Sequence, residues 1–203
     1  MLELVITCAV LALLEMDTTY LGQFLFSRPT CAGAIMGYLC GDFFLGLQLG
    51  VFTELLFIDF VPIGGVVPPS GALCAGLGVL FSAYFSMDVY FAFFAGLILS
   101  LLFTYIEKLL RKYRASILPA VEKQLIEGTL PPFQLVVQSF LLEYLAVFIF
   151  VLTAITLFGP PFFFIDEHIP QSLHIAFKFS YFLVPWIGLS MLFISFSTKP
   201  KVE

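Results

Sequence analysis

The sequence predicts an all-α integral membrane protein of about five to six transmembrane helices, with a broken, re-entrant element near residues 60–71. Three observations carry this expectation. Hydrophobic residues make up 61% of the chain and charged residues 11%, more apolar surface than a soluble domain of 203 residues can bury. The mean hydropathy is +1.06. The apolar runs reach or exceed the ~20 residues a helix needs to cross a bilayer. Charge is confined to a few places: between Thr30 and Tyr105 the ionisable groups other than Cys and Tyr are Asp42, Glu54, Asp59 and Asp88.

The chain reads as one membrane domain, 1–203. Met1-Leu2-Glu3 carries no basic residue and no clean small-x-small site follows, so the first apolar segment reads as a retained span rather than a cleaved signal. That span runs from Leu4 to Phe26 and is interrupted by Glu15, Asp17 and Thr18-Thr19. Pro29 suits the first turn of a second helix, because its missing N–H costs nothing there. The second span is Cys31 to Phe60. Within it Gly33, Gly37 and Gly41 recur every four residues and share one helix face, a device for close helix packing. Gly46 and Gly50 follow.

The stretch Pro62-Ile63-Gly64-Gly65-Val66-Val67-Pro68-Pro69 breaks the helix. Gly71 to Tyr105 then holds a third and fourth span, with a turn at Ser86-Met87-Asp88. Gly71 to Tyr84 is short for a crossing and pairs with the break before it as a re-entrant hairpin. Phe133 to Phe158 and Ile175 to Phe196 complete the spans.

Orientation follows from Lys and Arg in short connections. Lys108, Arg111, Lys112, Arg114 and Lys123 lie in the 107–132 loop, and Lys199 and Lys201 in the tail, so both are expected in the cytoplasm. The 159–171 loop contains Asp166 and Glu167 without Lys or Arg and is expected outside. Leu110 to Ile126 reads as an amphipathic helix on the cytoplasmic face, either lying on lipid or docking a cytosolic partner.

A carboxylate in hydrocarbon costs ~3 kcal/mol on insertion scales, so it marks a cavity or a partner. Glu54 and Asp59 are the leading candidates for binding a polar solute, since carboxylates accept hydrogen bonds from hydroxyl groups and also bind cations. Five residues apart, they would lie about 140° apart on an unbroken helix. The competing reading has a carboxylate capping backbone N–H groups freed by the break at Pro62-Gly64-Gly65. Glu15, Asp17 and Gln23 form a second polar set, lining the same cavity or marking where the first helix leaves the bilayer. Arg28, the one basic residue before Lys108, is either the counter-charge of an early carboxylate or an interfacial anchor. Glu143 is expected to pair with Lys178, and His174 to sit at an interface rather than to relay protons.

Other chemistries find no motif. Cys8, Cys31, Cys40 and Cys74 form no CxxC, and His168 and His174 are far from them, so neither a metal nor another cofactor is expected. There is no nucleophile elbow, phosphate-cradling glycine loop or HExxH, and hence no covalent step is assigned to this chain. No basic patch with interleaved aromatics favours nucleic acid.

The run Phe24-Leu25-Phe26-Ser27-Arg28-Pro29, followed by Gly37, Gly41-Asp42, Gly46, Gly50, Glu54 and Ile63-Gly64, resembles the IIC permease subunit of the mannose/fructose/sorbose family of the sugar phosphotransferase system. The resemblance is specific from Leu21 to Leu73 and one of hydropathy beyond. It implies a multi-pass subunit that carries a hexose across the bacterial inner membrane in an oligomeric complex with a IID membrane subunit. Cytosolic IIA and IIB proteins would phosphorylate the sugar on residues this chain does not supply. It further implies that Glu54 is a sugar-site residue, and that Arg28, Asp42 and Pro69 are structural or gating groups. Gly64-Gly65 would belong to the broken re-entrant element.

The chain also departs from that pattern. It is short for the family, and Gly22-Gln23 stands where acidic residues are usual. Pro62 replaces an Asn, and Ser70 follows Pro69 where an Asp is frequent. These changes keep two rivals open: a non-transporting assembly or receptor subunit, and an ion-coupled secondary transporter.

Overall fold

A computed structural model describes residues 1–18, 23–60, 67–126 and 132–197. The regular structure of these residues is entirely helical. The order is α1 (Leu2–Met16), α2 (Pro29–Cys40), α3 (Phe43–Leu56), α4 (Gly71–Phe85), α5 (Val89–Ile126) and α6 (Pro132–Thr153). A π-helical turn (Ala154–Phe158), α7 (Gly159–His168) and α8 (Gln171–Ser197) follow. The all-α membrane class is therefore observed. Among the described residues three stretches are long and apolar enough to cross a bilayer: Val89–Ser116, Val136–His168 and Gln171–Ile194.

The expected second span is divided. α2 starts on Pro29 in its first turn and stops at Gly41, whose φ of +88° is cheap for a residue without Cβ. Asp42 then caps α3, its carboxylate accepting from Leu45 N–H at 3.0 Å. The reversal turns one apolar run into a helical hairpin. At 1.5 Å per residue its arms are roughly 18 and 21 Å long, against ~30 Å of hydrocarbon, so neither arm alone is long enough to cross. A helix reversal that the sequence reading did not place therefore lies at Gly41-Asp42. The break at 60–71 remains non-helical over 67–70, and residues 61–66, with Gly64 and Gly65, lie outside the described residues.

Glycine lets the two arms touch. A Cβ on Gly37 would sit 2.9 Å from Gly46 Cα, and one on Gly33 would press on the backbone of Gly46 and Gly50. Gly33 and Gly37 are therefore the packing residues. Gly41 is not, because it forms the turn and has no atom near its Cβ position.

α4 is the central helix. Ser70 caps it, accepting from Leu73 N–H at 3.1 Å, and every residue from Ala72 to Phe81 is buried. A helix apolar all round belongs inside a protein. α1, α2, α3 and α5 surround it. Leu11, Leu49, Leu77, Phe81, Phe93, Val151 and Tyr181 lie in one core. On α8, by contrast, Phe179, Trp186 and Phe193 are exposed, as suits helices bathed in lipid.

Two expected loops are largely helix. α5 continues through the basic stretch to Ile126, with Pro119 inside it, so the fourth span and the amphipathic segment form one element. The 159–171 segment is helical over Gly159–His168, since Pro160 and Pro161 fall where a helix starts and cost it no hydrogen bond. Nor does Glu143 pair with Lys178. Its partner is Arg114, while the Lys178 ammonium lies 5.8 Å from the centre of the Tyr90 ring.

Candidate functional site

The hairpin brings the first turn of α2 beside the last turn of α3. There the Thr30 backbone N–H donates to Glu54 Oε2 at 3.3 Å, and the Thr30 hydroxyl donates to the same oxygen. Arg28 Nη1 stands 3.7 Å from Glu54 Oε1. A helix N-terminus presents N–H groups without helical partners and the positive end of the dipole, so it suits a carboxylate. Glu54 thus caps α2, while the N–H groups of Gly64 and Gly65 lie outside the described residues. About a third of its side chain stays open (32%), and Oε1 has acceptor capacity beyond the Arg28 contact.

The other expected site residues differ in their surroundings. Asp59 is exposed, beyond the end of α3, and no described contact joins it to Glu54. Gln23 is exposed with a φ of +53°. Asp17 is buried and accepts from Phe24, Phe26 and Ser27 N–H at 3.0, 2.8 and 3.4 Å. It thus holds the aromatic loop that leads into Arg28-Pro29. Arg28 is a counter-charge as expected, and Asp42 is a cap.

Beside this hairpin lies a cleft of about 330 Å³, which Glu54 does not line. α1 contributes Glu15 to it and the α4 approach contributes Pro69 and Ser70. α5 gives Phe103, Thr104, Glu107 and Arg111, and α6 gives Glu143 and Val147. The Ser70 hydroxyl donates to Glu15 Oε2 at 2.5 Å. Arg111 Nε reaches Glu107 at 2.7 Å, and Arg114 bridges Glu107 (3.8 Å) and Glu143 (2.7 Å). Sequence reasoning singled out Glu15, Pro69 and Glu143 but missed the α5 contribution, although a signal was present: Thr104, Glu107, Arg111 and Arg114 recur at helical period along one face.

At the opposite end of the fold a second polar group joins α5, α7 and α8. Asp88 N–H donates to Asp166 Oδ2 at 2.9 Å, and His174 contacts Asp88 Oδ2 at 3.5 Å and Asp166 O at 3.1 Å. Among the described residues no cluster of His, Cys, Asp and Glu could hold a metal.

Comparison with known proteins bears on this arrangement. A family described as the sorbose-specific IIC component of the PTS system matches residues 1–201. A solved structure described only as a membrane protein superposes with a TM-score of 0.80 at 18% identity, covering 96% of this chain and 80% of its own. The cryo-EM structure of the mannose transporter ManYZ with microcin E492 gives a TM-score of 0.69 at 18% identity, covering 98% and 81%. These structural likenesses concern the fold. No curated protein matches.

Proposed function

The chain belongs to the sorbose-specific IIC components of the sugar phosphotransferase system, the membrane permease subunits for sugar transport, and from that premise we propose that it translocates a hexose-type sugar with Glu54 as the principal solute-binding group. The observation that carries this reading is the Glu54 carboxylate at the mouth of the α2–α3 hairpin. It is held in place by Thr30 and Arg28 yet left one-third open. A carboxylate fixed at one oxygen and with acceptor capacity left on the other accepts sugar hydroxyls without paying for its own ordering. Broken helices that present backbone ends to a solute are the usual furniture of alternating-access transport.

The partners follow from the same reading. A IID-like membrane subunit completes the permease, and cytosolic IIA and IIB proteins phosphorylate the sugar, which makes uptake one-way. The membrane is the bacterial inner membrane, with the basic α5 extension in the cytoplasm. On this reading Glu54, held by Thr30 and Arg28, carries the binding step, rather than the exposed Asp59 and Gln23.

The test is uptake of radiolabelled sorbose, mannose and fructose into cells producing the chain with IID, IIA and IIB proteins of this family. Accumulation as sugar phosphate that needs phosphoenolpyruvate and survives collapse of the ion gradients is the expected result. Uptake that follows the ion gradient and ignores phosphoenolpyruvate would move the chain to the ion-coupled class.

A further inference from the structure

We infer that the outer end of the fold carries a proton-operated latch: His174, as an imidazolium, ties the far end of α7 to the turn between α4 and α5, and the tie loosens when the ring loses its proton. The device goes beyond the Glu54 reading and does not depend on which solute Glu54 binds. The acidic 159–171 segment, without Lys or Arg, assigns this end to the outside.

Three elements build the latch. Asp88 stands between α4 and α5, Asp166 in the last turn of α7 and His174 in the first turn of α8. Asp88 N–H donates to Asp166 Oδ2 at 2.9 Å, and Asp166 Oδ1 is buried without a hydrogen-bond partner. The imidazole spans the other two groups. Its Nδ1 is 3.5 Å from Asp88 Oδ2, and its Nε2 is 3.1 Å from the Asp166 carbonyl oxygen. Both neighbours are acceptors. A neutral ring has one N–H and serves one of them, while its other nitrogen turns a lone pair on the second; an imidazolium donates to both. Its charge also offsets two carboxylates brought to one turn. The latch is therefore complete while His174 holds its second proton and is lost as rising pH removes it.

The neighbouring groups leave the role to His174. No Lys or Arg lies between Arg28 and Lys108 or between Lys123 and Lys178. Lys178, one turn further along α8, holds its ammonium 5.8 Å from the centre of the Tyr90 ring. On α7, Glu167 is exposed, and His168 is tied to its own helix: Nδ1 lies 2.8 Å from Phe164 O and the ring stacks on Phe164. Histidine is the side chain that changes charge between about pH 5 and about pH 8. The His174 and Asp88 side chains are each about one-third open (33% and 34%), so the proton exchanges with water. α7 is placed to respond. Its base packs on the core through Phe162, whose ring centre lies 5.8 Å from that of Phe81 and 6.3 Å from that of Phe91. The π-helical turn Ala154–Phe158 interrupts the α-helical ladder just before it. Losing the latch therefore loosens the last turn of α7 and leaves its base in place.

The experiment is a spin-label distance measurement on the full complex in lipid nanodiscs. Cys31 and Cys40, the two thiols that are not buried, are replaced by Ala, and labels are placed at A83C on α4 and I165C on α7, both exposed positions. Between about pH 5.5 and about pH 8 the share of long, broad distances is expected to rise about threefold, the size of effect that an ion pair one-third open to water supports. H174Q should show the larger share at both pH values. D88N, which removes only the charge partner, should flatten the response too, and it decides the matter if H174Q does not assemble. H168Q should respond as the unsubstituted background does. Distances that stay the same at both pH values in that background, a response that survives in H174Q or D88N, or one that H168Q abolishes would overturn the inference.

Discussion

Glu54 and Asp17 show how one residue type does two jobs. Both carboxylates accept backbone N–H groups, but Asp17 is spent on three of them and is buried, whereas Glu54 is one-third open. Each charge-assisted bond is worth ~1.5–3 kcal/mol and an abandoned buried donor costs ~1–3 kcal/mol. D17A is therefore expected to lower stability by about 3 kcal/mol in detergent-solubilised thermal unfolding. Q23A, at an exposed position, should change it by less than ~0.5 kcal/mol. Glu54 was a legible candidate because it is one of only four carboxylates in the apolar run from Thr30 to Tyr105, and each such group must be accounted for. Its partner Thr30 was not legible, because the pair is 24 residues apart and forms only when the hairpin closes. For the same reason Asp17 and Gln23 could not be told apart by type or position.

At the scale of elements, the hairpin α2–α3 is where sequence reading and structure part company. Hydropathy sums straight through Gly41-Asp42, so the run looks like one span. The glycine and the capping aspartate that end one helix and start the next were in view but were read as packing and gating. The four-residue glycine spacing was read correctly as a close-approach device, and its true partners are Gly46 and Gly50 on the returning arm. G37L is expected to prevent the hairpin from closing, seen as loss of a monodisperse complex in size-exclusion chromatography. G41A, which meets no neighbour, should cost only the left-handed backbone penalty of about 1–2 kcal/mol. Equal effects from both substitutions would contradict the division of roles.

Across the whole molecule, the described residues hold three helices long enough to span a bilayer, a central buried helix and a hairpin whose arms are each shorter than a span. This was only partly readable, because the short helices are as apolar as true spans and differ in length alone. A topology test follows. In a background lacking Cys31 and Cys40, cysteines at Phe26 and Ile58 should react with an impermeant maleimide from one side of the membrane, and a cysteine at Phe44, near the hairpin tip, should not react from the other. Reaction at Phe44 from the far side would mean that the hairpin crosses. The most direct test of the account as a whole is sugar uptake by the intact complex carrying E54Q. Uptake lost with insertion and assembly unchanged, beside wild-type uptake in D59N, is the predicted result. Wild-type uptake in E54Q would contradict it.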